Sequence, residues 1–210
     1  MSRKKGRLYV ISGPSGTGKG TICAELLKDT GNEFSVSMTT RGPREGEVDG
    51  REYYFVTREV FLQNIEAGNF LEYATVFENL YGTPKDMVIS RLSRGRNVIL
   101  DIDVQGGLQV KKAMPDAVLI FILPPSLAEL RKRLEGRGTE TPEKIEHRLG
   151  QALNEIKLIG EYDYFIVNDD VTEAAALAKQ KVEKGKTLIF FDEIQECPNA
   201  RTAIKFLVDD

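Results

Sequence analysis

The stretch Gly13-Pro14-Ser15-Gly16-Thr17-Gly18-Lys19-Gly20-Thr21 decides the fold. The apolar run Leu8–Ile11 before it predicts a buried strand, and Thr21–Lys28 after it predicts a helix. Strand, glycine-rich turn and helix, in that order, form the setting of a phosphate loop. Backbone N–H groups of the turn and of the helix N-terminus then face a polyphosphate, and Lys19 adds a point charge. A plain tight turn also uses glycine, but three glycines and a lysine between strand and helix favour the loop. One position departs from the usual pattern. Gly20 follows the lysine where Ser or Thr normally holds Mg²⁺, and Thr21 comes one place late.

Around this stretch lies a chain of 210 residues, enough for one α/β domain with inserted subdomains. A net charge of −3 gives no electrostatic footprint for nucleic acid or for an anionic membrane. Cys23 and Cys197 are the only cysteines and lack metal-ligand spacing, which suits a reducing compartment. No apolar run approaches the roughly 18 residues of a membrane span. The basic start, Met1–Arg7, precedes a strand-like run and is expected to be a solvated terminus, not a signal peptide. The expected location is cytoplasmic.

Further strands are predicted over Phe34–Met38, Tyr53–Val56, Leu71–Phe77, Asn97–Asp103, Ala117–Leu123 and Tyr164–Val167. Helices are predicted after the caps Thr57, Thr83-Pro84, Ser126 (with Glu129 as a capping box) and Thr141-Pro142. Leu80–Thr83 and Gln105–Gly107 are expected to be turns. Strands alternating with helices imply a parallel sheet covered on both faces. The interval 34–82 breaks that alternation and predicts a β-rich insertion.

Within it, Thr39–Arg51 is polar and too long for a simple connector, so it is mobile or functional. Arg41 and Arg44 there suit a phosphate clamp, because guanidinium groups bind phosphate oxygens bidentately. The alternative is a solvated charged loop. Tyr53, Tyr81 and Thr83 offer hydroxyls if the insertion turns them inward. Glu72, on an otherwise apolar strand, either points to solvent or accepts from a ring N–H and an exocyclic amine, the edge guanine presents. Adenine has an acceptor at that ring nitrogen and would be rejected.

Asp101 ends a hydrophobic strand, the usual place for the carboxylate that holds Mg²⁺ through water near a phosphate loop. Asp103, two residues on, faces the same side if the chain stays extended. Arg137, between Gly136 and Gly138, is the expected moving cation of a lid. Arg131 and Arg133 are expected on a solvated helix face, and His147 on the surface.

Several motifs together resemble one family, the guanylate kinases: Ile11–Lys19, Ser37–Arg44 with Gly46-Glu47, Ile99–Gly106, Arg133–Thr139 and Ile166–Asp169. They span roughly residues 7–184. The resemblance implies an α/β P-loop NTPase fold and the reaction ATP + GMP ⇌ ADP + GDP with Mg²⁺, in purine nucleotide salvage. It implies an ATP site from Gly13, Pro14, Ser15, Gly16, Thr17, Gly18, Lys19, Gly20 and Thr21, with Asn168 by the adenine. Ser37, Arg41, Arg44, Tyr53 and Tyr81 would hold the GMP phosphate, and Glu72, Thr83 and Asp103 would bind guanine. Asp101 would support the metal shell, and Arg137 and Arg148 would close over the transferring group. The implied parts are a core (1–36, 89–125, 151–184), a GMP-binding insertion (37–88) and a lid (126–150). The partners are GMP and ATP, with no nucleic acid or membrane, in a monomer or homodimer.

Two other readings compete. A guanylate-kinase-like interaction domain would lack the loop lysine or the loop glycines, and this chain keeps both. The end of the chain, 185–210, looks foreign to the family. Thr187–Gln195 resembles the acidic Walker B strand of an AAA-like ATPase, and Asn199–Val208 a following helix. A Walker B carboxylate needs its own phosphate loop, and the loop here already has Asp101. The segment is therefore expected to be a non-catalytic extension.

Overall fold

The computed structural model describes residues 5–76, 78–136 and 141–184. Contacts divide the chain into two units. The first comprises Thr30–Leu100 and Gln105–Ala117 with the chain up to Leu8, and the second comprises Tyr9–Asp29, Asp101–Val104 and the described residues from Val118 onward.

In the second unit, β1 (Leu8–Ser12) runs parallel to β8 (Val118–Leu123), which runs parallel to β9 (Tyr164–Val167). Leu119–Phe121 are fully buried, as a central parallel strand requires. The helices are α1 (Lys19–Leu26), α5 (Leu127–Glu135), α6 (Pro142–Ile156) and α7 (Val171–Lys184). Ser126 caps α5 by accepting from the Glu129 N–H at 3.1 Å, and the Glu129 carboxylate pairs with Arg133. On α6 the apolar stripe Ile145, Leu149, Ala152 and Ile156 is buried, and its first three members pack with Leu130 and Leu134 of α5.

The first unit pairs β2 (Asn32–Phe34) in parallel with β7 (Asn97–Asp101). It also holds a four-stranded sheet in the order β4 (Tyr53–Phe55), β3 (Ser37–Thr39), β6 (Asn79–Pro84), β5 (Phe70–Val76). Its helices are α2 (Arg58–Glu66), α3 (Lys85–Ser93) and most of α4 (Val104–Ala113). Thr57 caps α2 as expected.

Four expectations change. The single strand over Phe34–Met38 is two strands in different sheets. Ser35 still donates to Ile99 at 3.0 Å beside β7, and the chain then leaves for β3. Leu80–Thr83 is strand β6, not a turn. Its Gly82 is there for close packing, since a Cβ would stand 2.9 Å from Phe70 Cδ1 and 3.1 Å from the Glu72 carbonyl oxygen. Thr83 therefore lies in the sheet and does not cap α3, whose N-cap is Pro84. Gln105–Gly107 is helical: α4 begins at Val104, and Gly106 and Gly107 are buried. The expected strand over 97–103 ends at Asp101, so the alternation argument does not reach Asp103.

Gly82→Ala tests this packing. Overpacking of this kind costs about 1–3 kcal/mol, so a lower denaturant midpoint with an unchanged slope is expected.

Candidate active site

The phosphate loop is shaped by what lies behind it. Gly13 has φ 139°, and a Cβ there would meet the Ile122 carbonyl oxygen at 2.3 Å. Gly18 has φ 87°, and a Cβ would meet the Asn168 amide nitrogen at 2.3 Å. Only glycine takes these backbone angles at so close an approach. Leu130 and Leu134 of α5 press against Gly16. Inside the loop, buried Thr17 donates its hydroxyl to the Pro14 carbonyl at 2.9 Å. Asn168 is 1% exposed and donates its amide to the Thr17 carbonyl at 2.7 Å. The residue expected beside an adenine thus braces the loop from beneath. Lys19 lies over the loop, with Nζ donating to the carbonyls of Gly13 at 2.5 Å and Pro14 at 2.9 Å. Gly18 N-caps α1, so the first-turn amides of α1 follow directly on the loop.

Asp101 belongs to the same unit. Burial pushes its carboxyl pKa up, and Lys19 pulls it down. A Cβ at Gly20 would stand 3.8 Å from Asp101 Oδ2. The position that usually offers a hydroxyl therefore borders this carboxylate. Among the described residues no group of three or more His, Cys, Asp or Glu side chains could hold a metal by itself. A single desolvated carboxylate fits Mg²⁺, which keeps waters and takes most of its shell from phosphate oxygens. Cys23, one turn beyond the loop, is buried and its thiol is pushed up by burial first and Asp101 second. Arg148 of α6 donates to the Ser15 hydroxyl at 2.9 Å and so reaches the loop. Arg131 pairs with Glu146 at 2.5 Å on the surface, as a solvated face predicts. Arg137 lies outside the described residues. The sequence reading passed over Glu155, which α6 sets within electrostatic range of Lys19 and Asp103. Its signal was a carboxylate next to the buried stripe.

The residues expected to hold GMP, Asp103 apart, lie in the first unit. Arg41 Nη1 and Nη2 each donate to Glu47 at 2.9 Å, and Nη1 also donates to the Gly42 carbonyl at 2.8 Å. The guanidinium lies 5.4 Å from the Tyr53 ring centroid and 5.7 Å from that of Phe55. Tyr53 and Tyr81 meet edge to face, and Ser37 pairs with Tyr53 across β3 and β4. Glu47 further accepts from the Arg44 N–H at 2.7 Å. These bonds, Arg41 foremost, hold its carboxyl well below the usual range, at about 2. Within the Thr39–Arg51 loop, Glu47 thus ties Arg41 to the Arg44 backbone. Glu47 was not among the expected site residues, and its signal was an acid six places after Arg41 in a polar loop that also holds Glu45 and Asp49.

Glu72 is 5% exposed, so the solvent-facing alternative fails. Phe70 and Glu72 of β5 oppose Pro84 and Thr83 of β6, which is a β-bulge. The bulge lets both Leu71 and Glu72 face inward where strict alternation would expose one. Thr83, itself fully buried, donates to Glu72 Oε1 at 2.6 Å. Asp103, grouped with them in the sequence reading, falls in the second unit, and its carbonyl accepts from the Ser12 hydroxyl at 3.3 Å.

A phosphate loop on a parallel sheet flanked by helices, with the desolvated Asp101 carboxylate in the field of the loop lysine, defines a P-loop phosphotransferase. The family description "Guanylate kinase" matches residues 5–185, and the chain belongs to that family. It is 52% identical to a guanylate kinase of Clostridioides difficile over 90% of this chain and 96% of that one. It is 54% identical to one of Thermus thermophilus over 84% and 79%. The crystal structure of an Anaplasma phagocytophilum guanylate kinase superposes with a TM-score of 0.70 at 33% identity, covering 97% of this chain and 95% of that one. The Walker B-like Thr187–Gln195 lies beyond the family match and outside the described residues.

Asn168→Ala leaves the buried Thr17 carbonyl unpaired, at a cost of about 1–3 kcal/mol. A lower unfolding midpoint and a raised KM for ATP are expected together. A second outcome concerns acid. The folded-state pKa of Glu47 lies below its ordinary 4.5, so the Arg41–Glu47 pair contributes stability above that pH and loses it as pH falls towards about 2. Acid-unfolding curves of wild type and Glu47→Gln should converge over that window.

Proposed function

We propose that this chain transfers the γ-phosphoryl group of ATP to the phosphate of GMP, giving ADP and GDP. The observation that carries the choice of acceptor is Glu72, a buried carboxylate braced by Thr83. A carboxylate there suits the N–H edge of guanine. Burial makes mismatch costly, because an adenine would leave the acid facing an acceptor. The family membership supports the same reaction.

On the donor side, the amides of Gly13–Thr21 and the Lys19 ammonium would hold the ATP phosphates. Pro14, Ser15, Gly16 and Gly20 act through their backbone, and Asn168 keeps the loop in shape. On the acceptor side Ser37, Arg41, Arg44, Tyr53 and Tyr81 would hold the GMP phosphate. Asp103 joins Glu72 and Thr83 on the base in this reading. The cofactor is a divalent metal, here Mg²⁺, positioned by Asp101 through water. When bound, the metal would supply charge neutralisation on the phosphates. Arg148 and Arg137 would meet the charge that develops on the transferring group.

The attacking atom is a phosphate oxygen, already anionic near neutral pH, so no side chain need act as a strong base. Catalysis is positioning and charge neutralisation. The GMP-binding insertion at 37–88 and the lid at 126–150 would close on the core and exclude water that would otherwise take the phosphoryl group. Residues 185–210 are read as a non-catalytic extension. We further infer a cytoplasmic monomer or homodimer, consistent with the absence, among the described residues, of any helix long and apolar enough to cross a membrane.

A coupled assay with GMP, AMP, dTMP and UMP tests the reading. Turnover should require GMP, and Lys19→Met should lower kcat by about 10²–10³. Glu72→Gln should lower kcat/KM for GMP by at least about tenfold with the KM for ATP unchanged. Equal turnover of AMP by the wild type would overturn it.

A further inference from the structure

The hydrogen bonds of Arg41 sort its guanidinium into used and open edges. A guanidinium has five N–H bonds, and they form two pairwise edges. The end-on edge uses one hydrogen each of Nη1 and Nη2, and the side-on edge uses the other Nη2 hydrogen and Nε–H. Glu47 occupies the end-on edge with both oxygens, at 2.9 Å each. The remaining Nη1 hydrogen goes to the Gly42 carbonyl at 2.8 Å. A phosphate therefore has only the side-on edge on which to bind two-pronged.

Glu47 is itself fixed. Its backbone N–H closes a turn onto the Arg44 carbonyl at 3.1 Å, and its carboxylate takes the Arg44 N–H at 2.7 Å. Arg41 is held from the other direction by Thr39, whose fully buried hydroxyl accepts the Arg41 N–H at 3.2 Å. The aromatic rings of Tyr53 and Phe55 fix the plane of the guanidinium.

Building on the GMP reading above, we propose that Glu47 is a positioning residue: by gripping the end-on edge of Arg41 it turns the side-on edge towards the acceptor phosphate and stays in place when the phosphate binds. The competing idea is that Glu47 stands in for the phosphate and must be displaced. The two predict opposite signs. A positioning carboxylate strengthens phosphate binding, because it pre-orders a long side chain that would otherwise lose rotamer freedom on binding. A placeholder weakens it.

The test measures dissociation constants of GMP and guanosine by calorimetry for wild type, Glu47→Gln, Arg41→Lys and the double variant. Glu47→Gln should weaken GMP by about tenfold, about 1.4 kcal/mol, and leave guanosine unchanged. In the Arg41→Lys background, which has no edges to orient, the same change should alter GMP binding by less than about twofold. Tighter GMP binding by Glu47→Gln would overturn the proposal in favour of the placeholder. Equal loss of GMP and guanosine, full additivity with Arg41→Lys, or no change would overturn it too. A wild type that binds guanosine as well as GMP would instead refute the phosphate clamp underlying the functional reading.

Discussion

The phosphate loop works only if its backbone comes close to a polyphosphate, and that requires support from behind where no side chain of the loop can intrude. Three different elements give this support. The carbonyl of Ile122 in β8 stands where a Gly13 side chain would be, α5 leucines press on Gly16, and Asn168 after β9 fills the place beside Gly18. The loop is thus the meeting point of segments more than a hundred residues apart. Its shape depends on the whole second unit being folded. This explains why a short motif needs a parallel sheet around it: the buried strands supply rigid carbonyls at fixed height, and a flexible scaffold would let the loop collapse on its own dipoles.

The charged groups follow one rule in both units. Each is held by a partner that constrains its orientation. Lys19 lies on loop carbonyls, within the field of Asp101. Arg41 is gripped by Glu47 on one edge. Glu72 is buried but takes the Thr83 hydroxyl. Burial pushes the Asp101 carboxyl up against the opposing pull of Lys19, while Arg41 foremost holds the Glu47 carboxyl down. Such preorganisation is what phosphoryl transfer needs from a protein, since the chemistry requires placement and charge more than proton transfer.

Much of this was legible in the chain. Glycine and lysine spacing marked the loop because only that backbone conformation uses those residues. Apolar runs marked β1 and β8, and the caps at Thr57, Ser126 and Thr141 marked helix starts, because each is a local effect. What was misread was non-local. Leu80–Thr83 has turn-like composition, and only its pairing with β3 and β5 makes it a strand. Phe34–Met38 alternates like one strand, and only the demand of two sheets divides it. Gln105–Gly107 looks like a turn, and helix α4 absorbs its glycines through burial.

The sequence by itself determined the fold class and the family, because the phosphate loop, the paired arginines Arg41 and Arg44 and the Asp101 strand are each marked by residue types at short spacing. Tertiary structure alone decided which way the key side chains face. Glu72 turns inward through a bulge defined by its partner strand, Arg41 offers one edge because Glu47 takes the other, and Asn168 reaches Thr17 across 151 residues of chain. Orientation is a property of pairs, and a residue's partner is set by the path of the chain in space, which local spacing does not encode.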